Sequence, residues 1–340
     1  MTSSSAASPS QLDLVAKAID LVGERGYAAL ATVIETWGSA PVPVGGQMVI
    51  AAEDEFAGSV SGGCIEGEVI VAGLEVIADG QPRILTFGVA NETAWRAGLP
   101  CGGRISILVV RIDRTAVAGW LGEMQQARRE RRPLAVVTDL ASGATTSYRD
   151  AGEALPVVAA ALRDGRSTLT RTGEQPETFI HVSLPPPRIV IIGATHIAQV
   201  LVEMLRLIGF DALVVDPRTA YATGERFSGV RLIAEWPEDA LPALALDPFT
   251  ALVAVAHTPN IDDLPLQRAL EAGCFYVGAL GSRRNHAKRV ERLAAAGATA
   301  EQIARIRAPI GLAIGAQGPA EIAAAILAEI IQAVRLRTPS

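Results

Sequence analysis

Two cysteines in glycine-rich turns are the residues of this chain best suited to chemistry. Cys64 follows Gly62-Gly63 and Cys101 precedes Gly102-Gly103, in a chain of 340 residues with only three cysteines. The stretch that starts at Cys64 has helical periodicity. A helix start offers free N–H groups and the positive end of the helix dipole, which favour a thiolate. We therefore predict two accessible, reactive sulfur atoms beside loops that admit a ligand. The alternative is that both are small buried side chains, as free cysteines frequently are.

Polar residues near these turns are further candidates for ligand contact. Gln47 follows a Gly-Gly pair and could hydrogen-bond a bound ligand, although an exposed glutamine at a strand edge fits equally well. Glu66 could accept a proton near Cys64 or cap the N–H groups of the following helix. Cys274 stands at the entry of an apolar strand, which predicts a place in the core.

A second candidate binding region is the turn at Gly193, between an apolar strand and a predicted helix. This is the setting of a dinucleotide-binding fingerprint, but Thr195 replaces its middle glycine. The threonine could crowd a pyrophosphate or donate one hydrogen bond to it. Asp216 lies 23 positions after Gly193, where a ribose-binding carboxylate belongs. The pattern favours a nucleotide-like ligand and weakens the case for ordinary NAD chemistry, and a turn of this type without any ligand is the alternative.

Two histidines follow predicted strands of the second half. His196 stands in the first turn after Gly193, where it could contact a phosphate or a metal centre or simply hydrogen-bond at the helix start. His257 follows another strand, at the carboxyl edge where open α/β sheets bind ligands. Asn260 to Asp263 could instead cap the next helix without any ligand. We rank His257 second among the histidine contacts.

A basic segment near residue 285 is a candidate anion site. Ser282 can cap a helix whose first N–H groups, with Arg283 and Arg284, would bind a phosphate. Lys288 and Arg289 are predicted to lie on a solvated helix face.

Composition sets limits on the class of protein. A hydrophobic content of 49% with 4% aromatic residues indicates aliphatic α/β packing, and a net charge of −6 argues against nucleic acid as a partner. The first ten residues lack the basic and apolar regions of a secretory signal, and the apolar run Ala320 to Val334 contains two glutamates. The cysteine spacing fits neither a disulfide framework nor a structural zinc site. We expect a cytoplasmic protein without a membrane span.

Two domains are predicted on either side of three consecutive prolines. Residues 11–183 mix strand and helix patterns and are predicted to form an N-terminal α+β domain. Residues 184–187 form a proline-rich linker, because consecutive prolines favour an extended spacer. Residues 188–337 alternate strands and helices, which predicts a Rossmann-like doubly wound domain. The fold class is therefore α/β.

The ordered set of motifs resembles the XdhC/CoxI family, whose members are accessory proteins of xanthine dehydrogenase, carbon monoxide dehydrogenase and related molybdenum hydroxylases. The family usually has Gly-Ala-Gly-His at 193–196 and His-Asp-Pro at 257–259, so Thr195 and Thr258 depart from it. The resemblance covers nearly the whole chain. The motifs that carry it are Glu35 to Pro41, Gly58 to Glu66, Gly98 to Gly103, Ile191 to Ala198, Val215 to Arg218, Gly278 to Arg284, Ala308 to Leu312, Gly318 to Ala323 and Ile326 to Ile331.

The resemblance implies a chaperone that binds molybdenum cofactor (molybdopterin or its cytosine dinucleotide form), protects it during sulfuration and inserts it into a molybdenum hydroxylase. It also implies a cysteine desulfurase as sulfur donor and a homodimer. Molybdenum favours sulfur ligands, which makes Cys64 and Cys101 the candidate metal ligands. The residues expected to bind the cofactor are Gln47, Ser61, Gly62, Gly63, Cys64, Glu66, Cys101, Gly102, Gly103, Gly193, Thr195, His196, Asp216, His257, Arg283 and Arg284.

Two other classes of protein remain alternatives. The first is an NAD(P)-dependent oxidoreductase that uses the second domain, although the sequence does not show a general base, a hydride pocket and a substrate-orienting set together. The second is a scaffold that docks onto the hydroxylase without holding cofactor. We expect no catalytic residues of the protein's own, because the cofactor carries the reactive chemistry.

Overall fold

The computed structural model describes residues 13–38, 40–88, 103–152 and 154–336. These residues fold into two units that divide between Pro185 and Pro186. Cys101 and Gly102, two of the predicted cofactor-binding residues, lie outside the described ranges.

The first unit contains two antiparallel sheets. Its helices and strands are α1 (Leu14–Arg25), β1 (Tyr27–Trp37), β2 (Gln47–Ala52), β3 (Glu55–Gly58), α2 (Glu66–Asp79), β4 (Arg83–Phe87), β5 (Arg104–Asp113), α3 (Arg114–Ala116), a π-helical segment (Val117–Leu121), α4 (Gly122–Arg129), β6 (Leu134–Asp139), β7 (Thr145–Tyr148), α5 (Pro156–Asp164), β8 (Thr168–Thr172) and β9 (Gln175–Ser183). The five-stranded sheet has the order β3-β2-β1-β5-β4, and the four-stranded sheet has the order β7-β6-β9-β8.

Both faces of the five-stranded sheet are buried, because successive side chains of a strand point to opposite sides. On one face Leu30 packs in a cluster with Val22 of α1, and on the other Ala31 packs with Val69 of α2. Asp13 caps α1 by accepting hydrogen bonds from two amides of its first turn, and Gly26 ends that helix with a positive φ. The sheet thus holds α1 and α2 on opposite sides, and α2 begins directly after the loop that carries Cys64.

The second unit is a six-stranded parallel sheet with the order β12-β11-β10-β13-β14-β15. Its elements are β10 (Arg188–Ile192), α6 (His196–Leu207), β11 (Asp211–Val215), β12 (Arg231–Ile233), α7 (Pro237–Leu244), β13 (Thr250–Ala254), α8 (Pro259–Glu271), β14 (Tyr276–Ala279), α9 (Arg283–Ala295), α10 (Ala300–Ala304), β15 (Ile306–Arg307) and α11 (Gly318–Arg335). Residues of α6 and α11 pack on one face, and residues of α7, α8 and α9 pack on the other. This is a doubly wound sheet, and the predicted fold class is confirmed.

The sequence missed several local features. The strand Glu55–Gly58 and the helix Pro156–Asp164 were not predicted, because each is short. The helical stretch predicted from Cys64 begins at Glu66, with Cys64 just before its first turn, and the segment between α3 and α4 is interrupted at Gly119, whose ψ of −120° is not helical. Among the described residues, none of the helices is both long and apolar enough to span a bilayer.

Candidate functional site

One edge of the five-stranded sheet gathers the predicted residues of the first unit. Arg104, the first residue of β5, pairs with Trp37, the last residue of β1. Gly58, the last residue of β3, pairs with Met48 at the start of β2. The loop that carries Cys64 and the chain just after Cys101-Gly102 therefore emerge at the same edge. We call residues 59–65 the thiol loop.

The Glu66 carboxylate holds the thiol loop from inside. Its Oε1 accepts hydrogen bonds from the Ser59 hydroxyl at 2.6 Å, the Val60 amide at 3.3 Å and the Ser61 amide at 2.9 Å. Its Oε2 accepts from the Ser61 hydroxyl at 2.5 Å, the Gly63 amide at 2.9 Å and the Ile65 amide at 3.2 Å. Burial opposes ionisation of this carboxyl, but the hydrogen bonds of Ser59 and Ser61 outweigh it and lower the pKa of Glu66 to about 2. The amides that Glu66 accepts from all precede α2, so its carboxylate fixes the loop and does not cap the N–H groups of the helix's first turn.

Cys64 is exposed on this loop. The amides of Gly63 and Cys64 are engaged within the loop. The Cys64 amide donates to Ser61 Oγ at 3.1 Å, and the Gly63 amide donates to Glu66. Gly63 has a φ of +111°, and a β-carbon built on it would meet no atom within 4 Å. The thiol therefore stands on a rigidly bonded loop that is open to solvent.

Gln47 and Gly103 lie at the same sheet edge but are less accessible. The Gln47 amide group donates to Thr32 Oγ1 at 3.2 Å, across the β1–β2 pair. Gly103 is buried directly before β5. Gln47 is half-buried and donates one hydrogen bond to the neighbouring strand, so it is not the water-exposed glutamine of the alternative, and its contact with a ligand stays a prediction.

The turn at Gly193 is filled by the protein itself. Gly193 has a φ of +110°, and a β-carbon there would lie 2.5 Å from the Ala256 amide nitrogen. The glycine is therefore required by packing between β10 and the chain after β13. Thr195 Oγ1 accepts a hydrogen bond from the Ala198 amide at 3.3 Å and caps α6, and its own proton remains free to be donated. His196 follows it as an exposed first residue of the helix.

Asp216 is fully buried and its carboxylate is engaged on both oxygens. Oδ2 accepts from the Ala194 amide at 2.6 Å and from Arg218 Nη2 at 2.7 Å. Oδ1 accepts from the Arg218 amide and from Arg218 Nε, both at 2.9 Å. Burial raises the pKa of Asp216, but the hydrogen bonds of Arg218 and Ala194 outweigh it and hold the pKa below its usual range. A ribose hydroxyl would have to displace Arg218 to reach this carboxylate.

A cavity of about 220 Å³ lies beyond the carboxyl ends of β13 and β14. We call it the cationic pocket; its lining residues are His257, Thr258, Pro259, Asn285, Lys288, Arg289 and Arg292. His257 has a φ of +62°, a backbone conformation that non-glycine residues rarely adopt and that recurs at functional sites. Its ring is 3.2 Å from the position of a β-carbon on Gly281, and its Nε2 lies 3.4 Å from Asn285 Nδ2. Glycine at 281 therefore makes room for the His257 ring.

The prediction of a solvated helix face was right for Lys288, which is exposed, and wrong for Arg289, which is only 4% exposed. Arg289 Nη2 donates to the Leu280 carbonyl at 3.0 Å, while its Nε and Nη1 have no hydrogen-bond acceptor. Burial lowers the pKa of Arg289 and raises that of the buried neighbour Asp262 to about 6. Arg289 is buried because that side of α9 packs against α8, which the local sequence could not reveal.

Arg283 and Arg284 lie on the first turn of α9 and are exposed. Ser282 caps that turn, accepting from the Asn285 amide at 3.3 Å. Neither arginine lines the cationic pocket, whereas Asn285, Lys288, Arg289 and Arg292 do. The spacing of these four, at i, i+3, i+4 and i+7, marks one helix face and is the signal that could have found them. Within the described ranges, no group of three or more His, Cys, Asp or Glu side chains is arranged to hold a metal ion.

Fold and site define a two-unit α/β protein with an exposed thiol on its antiparallel unit and a Rossmann-type second unit. Residues 189–330 match the model of the XdhC Rossmann domain, and residues 21–88 match the model of the XdhC and CoxI family. The chain belongs to the XdhC/CoxI family, as its motifs predicted.

The chain is similar over most of its length to known proteins from three bacteria. Over 304 residues the chain is 29% identical to the molybdenum cofactor insertion chaperone PaoD of Escherichia coli, and the match covers 89% of this chain and 82% of PaoD. Over 321 residues it is 27% identical to a protein of Bacillus subtilis described as a probable subunit of xanthine dehydrogenase, covering 92% of this chain and 94% of that one. A solved structure from Bacillus halodurans, described as a xanthine dehydrogenase, superposes with a TM-score of 0.74 at 25% identity and covers 96% of this chain and 97% of that one.

Proposed function

We propose that this protein binds molybdenum cofactor as its cargo, holds it for sulfuration and inserts it into a molybdenum hydroxylase of the xanthine dehydrogenase, carbon monoxide dehydrogenase or aldehyde oxidase type. The observation that carries the proposal is the exposed Cys64 thiol on a loop fixed by Glu66, in a chain similar to a named insertion chaperone. The protein acts as a carrier, and the bound cofactor supplies the redox chemistry.

Cys64 offers a sulfur ligand to the cargo. Molybdenum favours sulfur over harder ligands, and an exposed thiol can approach the metal end of a cofactor without any rearrangement of the core. Glu66 takes the positioning role, because its six accepted hydrogen bonds fix the backbone on both sides of Cys64. Cys101 is the second candidate sulfur and follows the same chemical reasoning from the sequence.

The second unit, considered by itself, offers candidate contacts for a phosphate group. Candidate contacts are the free proton of the Thr195 hydroxyl, the exposed His196 and His257, and the exposed cations Arg283 and Arg284. The ion pair of Arg218 with Asp216 weakens the competing oxidoreductase hypothesis, because it takes up the carboxylate that a nicotinamide dinucleotide would need for its ribose.

The proposed partners are a molybdenum hydroxylase apoenzyme, which receives the cofactor, and a cysteine desulfurase, which supplies sulfur. A homodimer is the proposed assembly. All three rest on the family resemblance and are tested by co-purification and by the mass of the protein in solution.

The test is cofactor retention by protein purified from cells that make molybdenum cofactor. Molybdenum content and the fluorescence of the oxidised pterin are measured per mole of protein, for the parent, for Cys64→Ser and for a control, Glu68→Gln, which changes an exposed residue in the first turn of the same helix. We expect several-fold loss in Cys64→Ser and none in the control. Tight binding of NADH by protein that never retains pterin would replace the proposal with the oxidoreductase.

A further inference from the structure

The cationic pocket carries positive charge that neighbouring carboxylates balance only in part. Asp263 is engaged by Arg292, through hydrogen bonds of 2.5 and 3.1 Å, and lies 3.9 Å from Arg289 Nε. Asp262 is the second carboxylate near Arg289, and one of its oxygens already accepts from the Thr258 amide at 3.2 Å. Lys288 is exposed and makes no hydrogen bond or ion pair with any described residue.

Arg289 lines the pocket as a buried guanidinium with unmet hydrogen-bonding capacity. Its Nε and Nη1 are buried without an acceptor among the residues that the structure describes. A buried donor without a partner destabilises a fold, and a buried charge does so more strongly. An anion in the pocket would offset both penalties, through its charge and, after a small side-chain adjustment, through direct hydrogen bonds.

The start of α8 adds further positive potential. Thr258 is the N-cap residue of this 13-residue helix, but its side chain does not cap it, and Pro259 occupies the first turn. The positive end of the helix dipole is therefore directed at the pocket side of Thr258 and Pro259. His257 and Asn285 complete the wall and can each donate a hydrogen bond.

We propose that the cationic pocket binds a phosphate group, as a phosphate monoester or a pyrophosphate. Lys288 supplies the accessible cation, Asn285 and His257 supply hydrogen-bond donors, and Arg289 supplies charge from within the wall. The cavity of about 220 Å³ has room for a phosphate or diphosphate group. The assignment of this phosphate to the molybdenum cofactor rests on the proposed function, whereas phosphate binding itself does not.

The chain offers a selective probe, because Lys17 and Lys288 are its only lysines. Reductive methylation with ¹³C-formaldehyde labels both lysine amines and keeps their charge, and Lys17→Arg and Lys288→Arg variants identify the two signals by NMR. The full chain is titrated with inorganic pyrophosphate at constant ionic strength, with sodium chloride as the matched salt. We expect a saturable shift of the Lys288 signal while the Lys17 signal, on α1 of the other unit, stays fixed.

Affinity is then measured by calorimetry with pyrophosphate for three variants. Lys288→Ala should bind about ten-fold or more weakly, since it loses one charge-assisted hydrogen bond, and Lys17→Ala should match the parent. A Lys288 signal that moves no more than that of Lys17 overturns the proposal. So does a double variant of Arg283→Ala with Arg284→Ala that loses pyrophosphate binding while Lys288→Ala retains it.

Cofactor retention separates this proposal from the proposed function. If Lys288→Ala loses pyrophosphate binding but keeps the parent's pterin content, the pocket binds phosphate from another ligand and the link to the cofactor fails. If Cys64→Ser loses pterin while pyrophosphate never binds, the proposed function stands and the pocket assignment falls.

Discussion

Two of the turns that precede helices contain a glycine with positive φ, Gly63 and Gly193, and in each a carboxylate of the chain occupies the place that an anionic ligand would take. In the thiol loop, Glu66 accepts from four backbone amides and two serine hydroxyls. At Gly193, Asp216 accepts from the Ala194 amide and is neutralised by Arg218. The two turns differ in the groups that they present. The first turn presents a free thiol, and the second presents a packed glycine and a helix cap.

The cationic pocket differs from both turns. There positive charge is in excess, with an exposed lysine and a buried arginine two of whose nitrogen atoms have no acceptor among the described residues. A glycine-rich turn before a helix is thus a candidate anion site only if no side chain of the protein fills it first. In the second unit, the proposed anion site is the cationic pocket. It lies at the same carboxyl edge of the sheet as Gly193, but beside β13 and β14.

The largest expected effect on stability comes from alanine substitutions at two glycines, Gly63 and Gly193, and it should differ between them. Gly63 and Gly193 have nearly equal φ values, +111° and +110°, but a β-carbon meets open space at the first and the Ala256 backbone at the second. Gly63→Ala should destabilise by about 1–3 kcal/mol, from backbone strain alone. Gly193→Ala should add about 1–3 kcal/mol of overpacking. Urea unfolding measures both, and equal losses would show that Gly193 is not held by packing.

Removing the Glu66 carboxylate, which accepts hydrogen bonds from the thiol loop, should have the second-largest effect on stability. Glu66→Ala leaves the buried Ser61 and several amides without acceptors, and we expect a loss of about 2–4 kcal/mol. Glu68→Ala is the matched control, because it removes an exposed acidic residue of the same first turn and should cost only about 0.3–1 kcal/mol. A thermal midpoint of Glu66→Ala equal to that of Glu68→Ala would mean that Glu66 does not hold the loop.

The charge balance of the pocket predicts a pH dependence. The folded-state pKa of Asp262 is about 6, above its unfolded value of 3.8, so the folded protein binds the extra proton between these pH values. The contribution of Asp262 to stability should therefore fall as pH rises from about 4 to about 6, by roughly 2–3 kcal/mol, while His181, whose pKa burial lowers to about 4, acts in the opposite direction in both parent and variant. The Asp262→Asn variant should lack the pH-dependent contribution of Asp262, even though the substitution beside Arg289 also changes its overall stability. The test is to measure the thermal midpoints of the parent and the variant at roughly pH 4, 5, 6 and 7. If both sets of midpoints change with pH in parallel, the prediction is wrong.

The smallest expected effect on stability is at the exposed thiol. Cys64→Ser should change the free energy of unfolding by less than about 0.5 kcal/mol, because the side chain makes no core contact. Cys274→Ser is the contrasting variant, since that thiol is fully buried and a polar group there is expected to cost about 1–3 kcal/mol. A large loss for Cys64→Ser, measured by the same urea titration, would place Cys64 in the core and remove it as a ligand.

The sequence by itself determined the doubly wound second unit, the family of the chain and the exposure of one candidate thiol. Runs such as Arg188–Ile192 are apolar throughout because a parallel strand is buried on both faces, and this pattern is local. Tertiary structure alone decided which of the candidate residues are buried and which are brought together. Arg289 is buried because α9 rests on α8, and Gly103 returns to the edge that carries the thiol loop because β5 pairs with β1. Each of these outcomes depends on which surface a helix, turn or strand meets, and the local sequence pattern does not specify that surface.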